Sequence, residues 1–168
     1  MESIYIAAYK DYADYNQLKT VCDRITSDMK KDDVTFFVTT GECGDNTCYK
    51  YARDNNFKIE DWFPDERFAD LKAKRNSGNW HEFYNALKAQ KKEYISKANH
   101  IILVSDYDKK NNGIGYALRL AGNHGKTLSV LFPDKNELHV HKISKPDRVY
   151  VYKVANGSMN FEKIIDNE

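Results

Sequence analysis

Glu42, Cys43 and Asp45 stand in one short stretch, Thr40-Gly41-Glu42-Cys43-Gly44-Asp45-Asn46, framed by two glycines. A carboxylate there can activate water or steady an oxocarbenium-like centre, which is the chemistry of glycosidic cleavage. The glycines let backbone amides approach a bound group. A helix starting at such a turn adds unpaired N–H donors and partial positive charge. The ligand this favours is anionic, most economically a nucleotide phosphate. The preceding run, Val34 to Val38, is apolar, β-branched and aromatic and reads as a buried strand. Thr47 to Asn55 reads as the helix that follows.

A second glycine loop has the same setting. His100 to Ser105 is the strongest strand in the chain, apolar on both faces, and a polar loop from Asp106 leads to Gly113-Ile114-Gly115. Tyr116 to Gly122 is the helix expected beyond it. Both loops lie at carboxyl ends of expected strands, where open α/β sheets bind ligands. If the two strands are neighbours, the loops face one crevice lined by Tyr9, Lys10, Gly41, Gly44, Asp45, Asp106, Gly113 and Gly115.

The roles divide by chemistry. Lys10 and the loop amides suit a phosphate, Asp45 a ribose hydroxyl, and Glu42 the cleavage step, with Asp45 as the second candidate acid or base. The plain alternatives are a helix N-cap for Asp45 and solvated side chains for Glu42 and Lys10. Tyr9, Tyr12 and Trp80 could stack on a base or simply pack, and Tyr107 begins the second loop beside Asp106. Cys43 has no histidine placed to activate it, so it is not read as a nucleophile. His139 and His141 alternate on one strand face, but two ligands are too few for a metal site. No cofactor is expected. On this reading Asp45→Ala and Gly44→Val weaken ligand binding and leave the fold intact.

The elements that must position these groups follow from apolar spacing. Ser3 to Ala8 is a strand, and Leu18, Val21, Cys22, Ile25 and Met29 define a helix over Tyr15 to Lys30. Phe57 to Phe63 reads as a third strand, Glu66 to Asn79 as a short helix and loop, and Trp80 to Ala98 as a helix with Phe83, Leu87, Tyr94 and Ile95 on one face. Thr127 to Phe132 is a further strand. After Pro133 come Leu138–Ile143, Arg148–Val154 and Met159–Ile164, with turns at Lys145-Pro146-Asp147 and Asn156-Gly157. The alternation predicts an α/β fold: a Rossmann-like, doubly wound, mostly parallel sheet with a small C-terminal antiparallel extension. The 168 residues fit a single domain, with residues 1–133 as its core and 134–168 as its β-rich extension.

Composition bounds the function. Lys+Arg 26 against Asp+Glu 25 argues against electrostatic capture of long duplex DNA. Lys72, Lys74, Arg75, Lys88, Lys91 and Lys92 form one basic concentration. It reads as a solvated helix face, or else as a surface for single-stranded nucleic acid. Three cysteines without paired spacing suggest free thiols in a reducing compartment. With no long apolar run and no signal-like N-terminus, the expectation is a cytoplasmic protein with no membrane partner. The C-terminal strands offer a surface for a homo-oligomer.

Several segments, in order, resemble one family. Ile4-Tyr5-Ile6-Ala7-Ala8-Tyr9-Lys10-Asp11 looks like the opening strand and turn of small proteins of the SLOG superfamily, in its YspA-like branch. Thr40-Gly41-Glu42-Cys43-Gly44-Asp45 followed by Tyr51-Ala52 is similar to that branch's second signature. Trp62-Phe63-Pro64 resembles its third strand, and Ala98-Asn99 with Gly113-Ile114-Gly115 and Ala121 its final strand, loop and helix. The likeness spans residues 3 to 132. It implies a Rossmann-like fold that binds a nucleotide or nucleotide-derived small molecule. Relatives include LOG-type phosphoribohydrolases, which cleave N-glycosidic bonds, sensors of nucleotide signals, and DprA-like proteins that bind single-stranded DNA. The chain departs from the LOG motif: Arg119 falls at its glutamate and Tyr116 at its threonine. Ala8-Tyr9-Lys10 replaces Gly-Ser-Arg at the first turn, and Gln90-Lys91-Lys92 stands where an arginine is usual.

Overall fold

A computed structural model describes residues 2–9, 11–38, 43–60, 65–106, 119–121, 125–142, 144–145 and 148–166, with the backbone alone at 43 and 65–68. The strands are β1 (Glu2–Ala8), β2 (Val34–Phe37), β3 (Lys58–Glu60), β4 (His100–Val104), β5 (Thr127–Phe132), β6 (Glu137–His141), β7 (Arg148–Ala155) and β8 (Ser158–Asp166). The helices are α1 (Tyr15–Thr26), α2 (Cys43–Asp54), α3 (Asp65–Asn76) and α4 (Trp80–Lys97), and residues 119–121 are also helical.

These strands form one eight-stranded sheet in the order β3-β2-β1-β4-β5-β6-β7-β8. The first five are parallel and the last three antiparallel. β1 lies at the centre of the parallel part, and its alternation divides the core. Ile4, Ile6 and Ala8 pack with Leu18, Val21 and Cys22 of α1 and with Cys48, Tyr51 and Ala52 of α2. Tyr5 and Ala7 pack on the other face with Tyr94 and Ile95 of α4, with Ala98 just after it and with Ala121. Helices thus cover both faces, which is why β1 and β4 are apolar on both sides.

The antiparallel strands continue the same sheet. Asn136 turns the chain from β5 into β6 in a left-handed conformation (φ 50°), and Gly157 does so between β7 and β8 (φ 79°). α1 braces this extension. The Gln17 amide donates to the Pro133 carbonyl (3.3 Å) and to Asn136 Oδ1 (3.1 Å), and the Gly157 N–H donates to Thr20 Oγ1 (3.2 Å). Among the described residues β8 is the outer strand, and Phe161, Ile164 and Ile165 on it are exposed.

Two expectations need correction. β2 and β4, which precede the two glycine loops, are not neighbours, because β1 lies between them. α2 begins at Cys43 rather than Thr47, so Gly44 and Asp45 lie in its first turn. Of the expected third strand, Lys58–Glu60 is strand and residues 61–63 lie outside the described residues, as does Pro64.

The charged segment after it carries more helix than its weak pattern suggested. Its partner supplies the reason. Leu71 of α3 packs on Phe83 of α4 with Ala86 and Leu87, the Arg75 guanidinium lies 5.0 Å from the Phe83 ring, and Lys74 pairs with Glu82 (3.3 Å). This hairpin projects. α4 ends just before β4 begins and runs antiparallel to it, so eight residues from Ala98 back to Gln90 rise about 12 Å. β4 climbs about 13 Å over the same span. The ten residues before Gln90 therefore extend about 15 Å past the carboxyl edge of the sheet. Among the described residues, no helix is long and apolar enough to cross a membrane.

Candidate functional site

Strand order reverses at β1: the chain runs outward through β2 and β3, then returns to β1's other side with β4. In open α/β sheets neighbouring loops diverge at such a point, and the carboxyl edge there is where a ligand crevice forms. Tyr9 closes β1 at this point, and its N–H donates to the Val104 carbonyl at the end of β4 (3.1 Å).

The first turn of α2 sits directly on that end. A Cβ on Gly44 would fall far inside van der Waals contact distance of the Tyr9 carbonyl oxygen, with Tyr9 C at 3.0 Å and Ala8 Cβ at 3.1 Å. Only glycine allows this approach. Thr47 Oγ1 fastens the next turn by donating to the Tyr12 carbonyl (3.0 Å). The expectation that Gly44→Val would leave the fold intact is therefore reversed, since the side chain would have to displace backbone.

The crevice carries charge of both signs. On the β4–β5 side, burial and then the carboxylates of Asp134, Asp106, Asp11 and Asp14 push the Tyr9 phenol above its ordinary value. An anion is disfavoured beside so many carboxylates; a group with hydroxyl or amino donors is not. On the α4 side stands Lys91, which has no hydrogen bond or ion pair among the described residues. Burial holds its ammonium below the usual lysine value, and Asp45 partly restores it. Lys91 is thus separate from the rest of the basic run, of which Lys92 and Lys88 are exposed and Lys74 is paired with Asp70 and Glu82.

The residue before Lys91 and one on β1 carry unsatisfied polar atoms. Tyr5 Oη and both side-chain polar atoms of Gln90 are buried without a hydrogen-bond partner among the described residues. Each such atom costs on the order of 1–3 kcal/mol, so three together call for a partner. Gln90 could have been noticed in the sequence. It falls on the Phe83–Leu87–Tyr94 stripe of α4, where an apolar residue is expected.

Of the expected site residues, Tyr9, Gly44, Asp45 and Asp106 are described, and the first two are in contact. Lys10, Gly41, Glu42, Gly113, Gly115 and Tyr107 lie outside the described residues, as does the Cys43 side chain. Tyr12 is a core residue whose hydroxyl donates to the Asp14 carbonyl (2.8 Å). Trp80 is exposed at the far end of α4, stacked on Tyr84 with ring centroids 6.0 Å apart. Cys22 and Cys48 are buried free thiols that burial pushes up, so neither is poised for nucleophilic attack. His139 turns its ring edge to Phe132 and Nε2 to Glu137 (3.2 Å). Among the described residues no cluster of His, Cys, Asp and Glu could hold a metal.

An open groove lies elsewhere, between α1 and the β7–β8 turn, lined by Lys19, Asp23, Arg24 and Asn156 among others. Its charged residues are partly tied to one another, with Lys19 on Asp23 at 2.8 Å, and it contains none of the orphaned atoms. Compared with known proteins, the chain matches no family model, no curated protein and no solved structure.

Proposed function

We propose that the chain binds a nucleotide or nucleotide-derived phosphate ligand at the carboxyl edge of the sheet and hydrolyses its N-glycosidic bond there. The observation that carries the binding is the α2 N-terminus seated on the end of β1 where strand order reverses. Such a terminus presents free N–H donors and partial positive charge to an anion. The order β3-β2-β1-β4-β5, with helices on both faces, supports a Rossmann-like, doubly wound core. It also agrees with the SLOG-like segments.

The sign of the charges orients the ligand. Phosphate belongs on the side of the α2 amides and Lys91, with Lys10 as a second cation. The ribose belongs near Asp45 and Asp106, whose carboxylates accept from hydroxyls. Glu42 is assigned the cleavage step, activating water or steadying the developing cation. The single-stranded nucleic-acid reading loses ground, because Lys74 is engaged within the hairpin and Lys91 is largely buried.

Native mass spectrometry of the purified protein, followed by denaturation, should release a nucleotide. Incubating that nucleotide with the protein should liberate free base, and Glu42→Gln should stop release while retaining binding. Asp45→Ala should weaken binding about 10-fold, the equivalent of one hydrogen bond to a charged group. A ligand that binds and is never cleaved would make the protein a sensor or sequestering protein. Failure to bind any nucleotide would remove the proposal.

A further inference from the structure

We propose that Tyr5 and Gln90 form the buried floor of a nucleobase subsite, reading the base by paired hydrogen bonds. This deepens the reading above and rests on it for the phosphate end alone.

Three observations converge. Tyr5 Oη, Gln90 Nε2 and Gln90 Oε1 are all buried and all lack a partner among the described residues. They are linked through Tyr94. The Tyr5 and Tyr94 rings are 6.2 Å apart, and Gln90 precedes Tyr94 by one helical turn on the same buried face of α4. Gln90 reaches the right height, since helix and strand rise place it level with the carboxyl end of β4, and Tyr5, paired with Ile101, lies about 10 Å deeper.

The chemistry selects the ligand. A primary amide offers one acceptor and two donors in a plane, and the phenol can donate or accept. Together they complement a flat group with adjacent donor and acceptor atoms, the pattern on the edge of a nucleobase. The neighbouring wall is aromatic, with Phe37 and Tyr94 stacked on each other (centroids 4.9 Å apart) beside Tyr5. A single buried water would satisfy some of these atoms, and the experiment below separates that case.

Gln90 is fully inaccessible, so a base reaches it only by displacing the elements above. The projecting α3–α4 hairpin is suited to that. Its outer part is held by the small Leu71–Phe83 cluster, whereas Tyr94 and Ile95 at the other end of α4 anchor it in the cluster on the sheet. Such lightly packed units open most readily.

The test uses two probes on the full chain: free nucleobases followed by saturation-transfer NMR, and ribose 5-phosphate followed by calorimetry. The wild type is expected to saturate at least one base. Gln90→Met and Tyr5→Phe should each reduce that signal at least 10-fold and leave ribose 5-phosphate affinity unchanged. Both variants should melt no lower than wild type, because no internal hydrogen bond is lost. No base signal in the wild type, or the same signal in both variants, overturns the subsite. A drop in melting temperature with unchanged base binding assigns the atoms to an internal water and also overturns it. Loss of the base signal in a protein that ignores ribose 5-phosphate would support the subsite while removing the phosphate reading.

Discussion

Gly44→Ala is expected to lower the melting temperature by about 5–10 °C and to abolish ligand binding at the carboxyl edge. The new methyl would overlap the Tyr9 carbonyl oxygen, which is backbone and already accepts the Tyr12 N–H (3.1 Å). Two effects compete. Alanine gains up to about 1 kcal/mol over glycine in a helix interior, and less in a first turn where few bonds are yet made. Overpacking against a rigid neighbour costs about 1–3 kcal/mol or more. Here the neighbour cannot rotate away as a side chain could, so the cost wins. At about 2–4 °C per kcal/mol for a chain of this size, the net loss is several degrees.

The functional loss follows from the same displacement. Relief of the overlap moves the first turn of α2 off β1, and its N–H groups then no longer converge on the crevice. Thermal melts and calorimetry on Gly44→Ala and Gly44→Val check both parts. An alanine variant that melts with the wild type would show that α2 does not approach β1 this closely.

Much of the architecture was legible because local pattern and burial agree. The apolar runs at Val34–Phe37 and His100–Val104 are largely buried strands in the parallel part of the sheet, and the Leu18, Val21, Cys22 spacing is the buried face of α1. Strand order was not legible, because an apolar run reports burial and not which neighbour supplies it. The start of α2 was misread for a related reason. Gly44 resembles a loop residue in sequence, yet its need for glycine arises from the approach of β1. The segment after residue 65 contains too few apolar residues to announce a helix, and the opposing face of α4 completes it.

The candidate site shows the same division. Tyr9, Gly44, Asp45 and Asp106 could be named because strand ends and glycine turns are sequence signals. Lys91 could not, since a lysine among lysines reads as solvated surface. Its burial comes from the packing of α4 against the sheet. Tyr5 was hidden in the opposite way: a tyrosine in an apolar strand reads as core, and only the missing partner of its hydroxyl distinguishes it.

Lys91→Met should separate binding from stability in opposite directions. A largely buried ammonium without an ion pair among the described residues is destabilising, and methionine keeps the apolar stem without the charge. The unliganded variant should therefore gain about 1 kcal/mol, or about 2–4 °C. The gain should depend on pH with a defined sign. Burial lowers the folded-state value of Lys91, so between that value and the ordinary lysine range the unfolded chain binds more protons. Stability contributed by this group then rises with pH. The cost is fully present below the folded-state value and is relieved as pH climbs through it toward the unfolded one. The advantage of Lys91→Met over wild type should accordingly be largest near pH 7 and shrink toward pH 10. Binding should move the other way. Loss of a charge-assisted contact to phosphate costs about 1.5–3 kcal/mol, which weakens affinity by roughly 10- to 100-fold. Paired melts across pH, with calorimetry against ribose 5-phosphate, measure both. A variant that loses stability at neutral pH and retains its affinity would make Lys91 an ordinary packing residue and leave the anion to the α2 amides alone.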